Sequence, residues 1–194
     1  MIVRIIIVGF MILGMQVTPS FAGAEEKGYS EHLTSQYLIR ISSGPGEAES
    51  MGSYALRIFE PEGLDLIAGA IQPRDGFIVK SWAVESSKKR AVTIFIWTCV
   101  VGSGSYGTLE VFTFDGKRFR PFNLPPAHAA LLDGCMGHDV FDVADDMIYW
   151  QFPLYLPEDS NANPTGGERC LELKMGKKTW KLSDHRIVND FVTP

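Results

Sequence analysis

The fold is decided by two strand-forming runs that flank a glycine-rich loop. The sequence reads Ala91-Val-Thr-Ile-Phe-Ile-Trp-Thr-Cys-Val-Val101, then Gly102-Ser-Gly-Ser-Tyr-Gly107, then Thr108-Leu-Glu-Val-Phe-Thr-Phe114. The first run is rich in β-branched and aromatic residues and is apolar at both alternate sets of positions, which predicts a strand covered on both faces. The second run also has apolar residues on both faces, so its strand is predicted from β-propensity more than from alternation.

The loop between the runs combines glycines with small polar side chains. Its glycines are Gly102, Gly104 and Gly107, and its other residues are Ser103, Ser105 and Tyr106. Glycine permits positive φ angles and a close approach of the backbone. The sequence therefore predicts a scaffold that presents two hydroxyls and one phenol, and we expect function at this loop.

Short runs typical of strands recur along the rest of the chain, separated by turn residues. We predict strands over residues 36–42, 53–59, 64–71, 77–85 and 147–155, and hairpins over 108–119 and 169–182. Residues 25–32 are predicted to be a polar lead-in, 73–76 a turn and 125–133 a short helical turn. The pattern predicts an all-β fold: an antiparallel β-sandwich of about eight or more strands, with at most short helical turns.

The N-terminus has the pattern of a secretory signal. Arg4 supplies the positive start, residues 5–15 the apolar core, and Ser20-Phe-Ala22 a small-x-small cleavage site. A membrane anchor needs about 20 apolar residues, and polar residues interrupt this run from Gln16 onward. We predict a signal peptide over 1–22 and a single exported domain over 23–194, periplasmic or extracellular, without a membrane anchor after cleavage.

The mature chain is acidic. The full sequence has a formal charge of −5, and removal of residues 1–22 takes away Arg4 and no acid, which gives −6. Such a surface does not favour nucleic acid. It favours a cationic partner through electrostatic steering.

Three cysteines are present: Cys99, Cys135 and Cys170. In an oxidising compartment they are compatible with one disulfide and one free thiol, and the sequence leaves their pairing open. Because Cys99 lies in an apolar run, it is equally well explained as a small buried hydrophobic residue.

The loop does not carry the context of a cofactor site or a hydrolase. It matches Gly-x-Gly-x-x-Gly at 102, 104 and 107, but a dinucleotide site requires a helix N-terminus next, and a strand composition follows. Ser103 or Ser105 with a histidine and an acid would make a hydrolase, yet neither serine lies in Gly-x-Ser-x-Gly. We expect no cofactor and no catalysis.

Metal-capable residues cluster once, as His128, Cys135, His138 and Asp139. Zinc sites usually contain a second Cys/His pair, which is missing here. Asp159, Asn161 and Asn163 have part of the spacing of a calcium loop, but Pro164 interrupts it. Ordinary turn side chains explain both sets, so we expect no metal.

Ser103-Gly-Ser-Tyr106 resembles the Ser-Gly-x-Tyr motif of the periplasmic inhibitors of invertebrate-type (I-type) lysozyme, the PliI family. Further segments follow in the order of that family: 73–77, 107–116, 136–139, 152–155 and 161–167. The resemblance covers residues 53 to 183. At 86–90 the chain has Ser-Ser-Lys-Lys-Arg where acidic, glycine-rich residues would be expected.

The resemblance implies an exported bacterial β-sandwich, often a homodimer, whose loop enters the lysozyme cleft. The lysozyme-binding residues would be Ser103, Gly104, Ser105 and Tyr106, with Gly102 and Gly107 shaping the loop. An uncharged tip suits a cleft with two catalytic carboxyl groups, because an inserted carboxylate would repel the ionised one. The alternative is a sugar- or peptide-binding module that uses Trp82, Tyr149 and Trp150, although apolar strand patterns favour a core position for these aromatics.

Overall fold

The computed structural model describes residues 28–62, 65–86, 90–100, 102, 104–122, 129–175 and 180–188, the last range by its backbone only. These residues form twelve strands and one 3-10 turn, Ala129–Leu131. The strands are β1 Tyr29–Leu33, β2 Leu38–Ser43, β3 Met51–Phe59, β4 Leu66–Asp75, β5 Phe77–Glu85, β6 Val92–Cys99, β7 Gly107–Phe114, β8 Phe119–Pro121, β9 Val140–Ala144, β10 Met147–Pro153, β11 Glu168–Met175 and β12 Trp180–Val188. The predicted all-β class is confirmed.

The strands form three four-stranded sheets in which neighbouring strands are antiparallel. The N-terminal sheet has the order β1-β2-β3-β4, the middle sheet β5-β6-β7-β8 and the C-terminal sheet β12-β11-β10-β9. Within the described ranges, no helix is long and apolar enough to span a membrane.

The middle sheet is covered on both of its faces. On one face, Ile94 and Phe114 pack into a cluster with residues of the N-terminal sheet such as Ile41. On the other, Phe95 packs into a second cluster that includes Phe141 of the C-terminal sheet. Alternate side chains of a strand point to opposite faces, so the apolar residues at both alternate sets of positions in β6 bury both faces. The predicted two-sided burial of this run is confirmed.

One sequence prediction near the N-terminus is wrong. Residues 29–33 belong to β1, which pairs along its length with β2, rather than to a polar lead-in. Its polar side chains point toward the middle sheet, where Ser30 and His32 both lie within hydrogen-bond distance of the Ser81 hydroxyl. Backbone pairing at a sheet edge does not require an apolar face, so hydropathy did not reveal this strand.

The predicted turn at 73–76 is also shorter than expected. Strand β4 continues through Asp75, and Gly76 alone turns the chain, with a φ of 84°. Pro73 is tolerated because β4 is the edge strand of its sheet. By contrast, the predicted hairpin around Asp115-Gly116 is confirmed, with a positive φ at Gly116 and the Asp115 carboxylate accepting from the amides of Lys117 and Arg118.

Candidate functional site

We call residues 102–106 the central loop; it joins β6 to β7 across the antiparallel pair that ends at Cys99 and Gly107. The Val100 amide donates to the Tyr106 carbonyl at 2.9 Å and closes the loop. Inside it, the Ser105 amide and hydroxyl each lie 3.3 Å from the Gly102 carbonyl. The loop is therefore a tight, hydrogen-bonded turn.

Tyr106 is the large side chain that the described part of the loop presents to solvent, with 52% of its surface exposed. Its ring lies over Gly104, so closely that a Cβ atom at Gly104 would overlap it. Ser105 takes a left-handed conformation, with a φ of 42°. Ser103, the other predicted contact residue, lies outside the described residues.

We call residues 134–139 the bracing segment, because its backbone holds the central loop. The His138 amide lies 2.9 Å from the Gly104 carbonyl and 3.2 Å from that of Ser105. Gly137 has a φ of 100° and touches the Gly104 carbonyl so closely that a Cβ atom could not fit between them. Glycine is therefore required at 137 for both its backbone angle and its size.

Asp139 connects the base of the loop to the C-terminal sheet. One of its carboxylate oxygens accepts from the Gly107 amide at 3.0 Å, and the other accepts from Nε1 of Trp150 at 2.8 Å. Only 6% of Asp139 is exposed. A carboxylate buried this deeply needs hydrogen-bond donors, and these two donors are supplied by groups that the fold holds in place.

The start of the loop is supported from the opposite side by the turn between β4 and β5. Gly76 packs against the Cys99 carbonyl with no room for a Cβ atom. The buried guanidinium of Arg74 donates to the Gly76 carbonyl and to those of Ala48, Glu49 and Ser53. The loop is thus held between two fixed turns.

Three of the side chains that sequence reasoning considered for catalysis or metal binding have partners within the fold. The Ser105 hydroxyl contacts the Gly102 carbonyl, and Asp139 binds Gly107 and Trp150. Asp159 accepts from Leu156 and Thr165 within its own loop. In the parts of the chain that the structure describes, no three His, Cys, Asp or Glu side chains are grouped to hold a metal ion; His128 lies outside those parts.

The aromatic residues proposed for a sugar- or peptide-binding surface belong largely to the core. Trp82 and Trp150 pack against the cluster between the middle and C-terminal sheets. The Trp150 ring also stacks on Phe141, with the ring centroids 5.5 Å apart. Tyr149 is partly buried. The alternative function therefore loses two of its three binding residues to packing.

The three cysteines are free thiols. Burial raises the pKa of the Cys99 thiol, and the nearby negative charge of Asp139 adds to the effect. Burial likewise raises the pKa of Cys135, which lies in the bracing segment. Cys170 is buried in β11. The disulfide that the sequence left open is not formed.

A family model described as the periplasmic lysozyme inhibitor of I-type lysozyme, PliI, matches residues 25–124. The chain belongs to the PliI family. The match includes the first two sheets and the whole central loop, and the predicted resemblance is confirmed. PliI proteins are periplasmic inhibitors, and their partner is I-type lysozyme. The family model matches residues 25 to 124, whereas the resemblance seen in the sequence extends from residue 53 to residue 183. Strands β9–β12 and the bracing segment therefore lie after the matched residues.

Two solved structures with sequence similarity to this PliI chain come from Aeromonas hydrophila. One is PliI in complex with Meretrix lusoria lysozyme, at 27% identity and a TM-score of 0.45, covering 52% of this chain and 89% of that one. The other is PliI by itself, at 27% identity and a TM-score of 0.43, covering 52% and 92%. No curated protein matches. Membership therefore follows from the family model and not from these superpositions.

Sequence reasoning missed the residues that position the loop. Both Gly137 and Asp139 lie in the family-like segment 136–139, but Asp139 was considered only as a metal ligand or the acid of a catalytic triad, and Gly137 was given no role. The local signal was present, because Gly134 and Gly137 flank Cys135 and Met136 in the manner of a tight turn. Nothing in the local sequence connects that turn with residues 104–107, which lie about 30 positions earlier in the chain.

Proposed function

We propose that this protein inhibits I-type lysozyme by inserting residues 103–106 of the central loop into the active-site cleft of the enzyme. The observation that carries the proposal is the exposed Tyr106 on a loop closed and held by backbone hydrogen bonds. In this mechanism the protein blocks substrate access and performs no chemistry.

The charge of the loop suits such a cleft. A glycoside hydrolase cleaves the sugar bond between two carboxyl groups, one protonated and one ionised. Residues 102–107 carry no charged side chain. Serine hydroxyls can donate to an ionised carboxylate or accept from a protonated one. The phenol of Tyr106 can cover apolar sugar-binding surface while its hydroxyl meets a polar group.

The rigidity of the loop favours tight binding. Ordering a flexible loop on association typically costs about 0.5–1.5 kcal/mol for each immobilised side chain. Here Val100, His138 and Asp139 already hold the loop through hydrogen bonds before any partner arrives. Less free energy is then lost on binding.

Export is part of the proposal. Residues 1–22 have the composition of a cleavable signal, and an inhibitor of host lysozyme acts where peptidoglycan is accessible. We propose cleavage after Ala22, which N-terminal sequencing of the exported protein would test. A homodimer, implied by the resemblance, stays a prediction.

A lysis-protection assay tests the function. The mature protein is preincubated with chicken-type, goose-type or I-type lysozyme, and the clearing of a bacterial suspension is followed by turbidity. We expect stoichiometric protection against the I-type enzyme. No protection at a protein concentration well above that of the I-type enzyme would overturn the proposal.

A further inference from the structure

The bracing segment places exposed side chains directly beside the central loop. Its backbone contacts the loop at Gly104 and Ser105 through the His138 amide, and at Gly107 through Asp139. Within and just after this segment, Gly137 and Asp139 are buried, whereas Met136, His138 and Val140 are exposed. The buried residues hold the loop, and of the exposed ones His138 bonds to it through its amide and Met136 directly precedes Gly137, which packs on Gly104.

Met136 is fixed in position although its side chain is 41% exposed. The residue before it, Cys135, forms a β-bridge with Leu154, and the Gly134 carbonyl accepts from the Tyr155 amide at 2.8 Å. Two residues after it, His138 bonds to the loop. An apolar side chain is therefore held at the surface between two anchored points, one residue before the contact of Gly137 with Gly104.

A partner that encloses the central loop must also cover this surface. A stable protein–protein interface buries about 800 Å² on each partner, which is much more than the tip of one short loop supplies. The His138 amide is at hydrogen-bond distance from Gly104. The first surface available to extend the contact on this side of the loop is the bracing segment.

We propose that Met136 forms a second and apolar contact with the same lysozyme molecule that receives the central loop. The inference depends on the proposed function, and it assigns a binding role to a region after the family match, which ends at residue 124. The partner surface would be an apolar part of the cleft wall. Methionine suits such a contact because its unbranched, polarizable side chain adapts to irregular surfaces.

The test is the variant Met136→Glu, titrated calorimetrically against an I-type lysozyme. A charge buried against an apolar wall without a partner is unfavourable, so we expect the dissociation constant to rise about tenfold or more. Because Met136 is exposed, the midpoint of thermal unfolding should stay that of the parent protein.

Leu66→Glu is the matched control. Leu66 is also an exposed apolar residue, 59% exposed, and it begins β4, the strand whose other end leads to Gly76 near the loop. The ten residues of β4 place it about 30 Å from that end. Its substitution should leave the dissociation constant unchanged.

Tyr106→Ala separates the two proposals. Parent-like binding by Met136→Glu, with weakened binding by Tyr106→Ala, would overturn the second contact and leave the loop mechanism standing. A parent protein that does not bind I-type lysozyme would overturn both. If light scattering shows that Met136→Glu converts a dimer to a monomer, the surface is covered by a second copy, and the inference is also overturned.

Discussion

The Asp139 carboxylate lies 3.0 Å from the Gly107 amide and so ties the base of the central loop to the strand that follows the bracing segment. The two residues are 32 positions apart: Gly107 begins β7 of the middle sheet, and Asp139 directly precedes β9 of the C-terminal sheet. The same carboxylate binds Trp150 in β10. The conformation of the loop therefore depends on the C-terminal sheet as well as on its own glycines.

Asp139→Asn should lower the free energy of unfolding by about 1–3 kcal/mol. The asparagine side chain keeps one acceptor oxygen, so its NH2 group would face the N–H donor of either Gly107 or Trp150. Inhibition should weaken as the loop loses its fixed position. Urea denaturation and calorimetric titration against I-type lysozyme measure the two effects. Asp142→Asn, at an exposed position of β9, is the control. Equal stability of the two variants would contradict the role of Asp139.

Gly137→Ala should displace the central loop. An alanine there would have an unfavourable φ, and its Cβ would overlap the Gly104 carbonyl. Gly46→Ala is the matched control, because Gly46 also has a positive φ, of 73°, but has open space around it. Backbone strain alone costs about 1–2 kcal/mol. We expect Gly137→Ala to lower both the free energy of unfolding and the inhibition of I-type lysozyme more than Gly46→Ala does. Equal losses in the two variants would argue against a close contact between Gly137 and the Gly104 carbonyl.

Tyr106→Ala should reduce the free energy of binding to I-type lysozyme by about 2 kcal/mol or more, as expected for an aromatic residue at the centre of an interface. The free energy of unfolding of this variant should equal that of the parent protein, because the Tyr106 side chain is largely exposed. Tyr29→Ala, which removes another exposed tyrosine, at 38% exposure, serves as the control. Inhibition by Tyr106→Ala at the parent level would reject the loop as the binding element.

Ser103→Ala should reduce binding by about 1–3 kcal/mol, because a buried group of the lysozyme cleft would lose its hydrogen-bond partner. The neighbouring Ser105→Ala should have a smaller effect, since the Ser105 hydroxyl is already engaged with the Gly102 carbonyl. Inhibition constants of the two variants, measured side by side, check the order. A larger rise of the inhibition constant for Ser105→Ala than for Ser103→Ala would assign the main hydrogen bond with lysozyme to Ser105 instead of Ser103.

The thiols of Cys99 and Cys135 should react slowly with iodoacetamide near neutral pH. Burial raises the pKa of both, so a smaller fraction is thiolate at a given pH than for cysteine in a short peptide. Peptide mass spectrometry after timed alkylation at a series of pH values gives the alkylation rate at each cysteine. The midpoint of the rise of this rate with pH should lie at higher pH than for cysteine in a short peptide. Asp139→Asn should move the midpoint of Cys99 downward, because a negative charge is removed. A peptide-like profile would contradict the burial of these thiols.

The sequence by itself determined the all-β class and the position of the loop. A run with apolar residues at both alternate sets of positions, as in β6, favours a strand buried on both faces, and Asp115-Gly116 specifies a tight turn through local backbone angles. The order of motifs around Ser103–Tyr106 was enough to indicate the PliI family. These properties depend on residues close together in the chain.

Only the tertiary structure decided what holds the loop in place. Gly137, His138 and Asp139 contact residues 104–107 because the C-terminal sheet packs on the second face of the middle sheet. The polar strand β1 was likewise recognisable only from its pairing with β2. Hydrogen bonds and contacts between distant segments leave no periodic pattern in the sequence, so a carboxylate such as Asp139 could be assigned a role only after its donors were located.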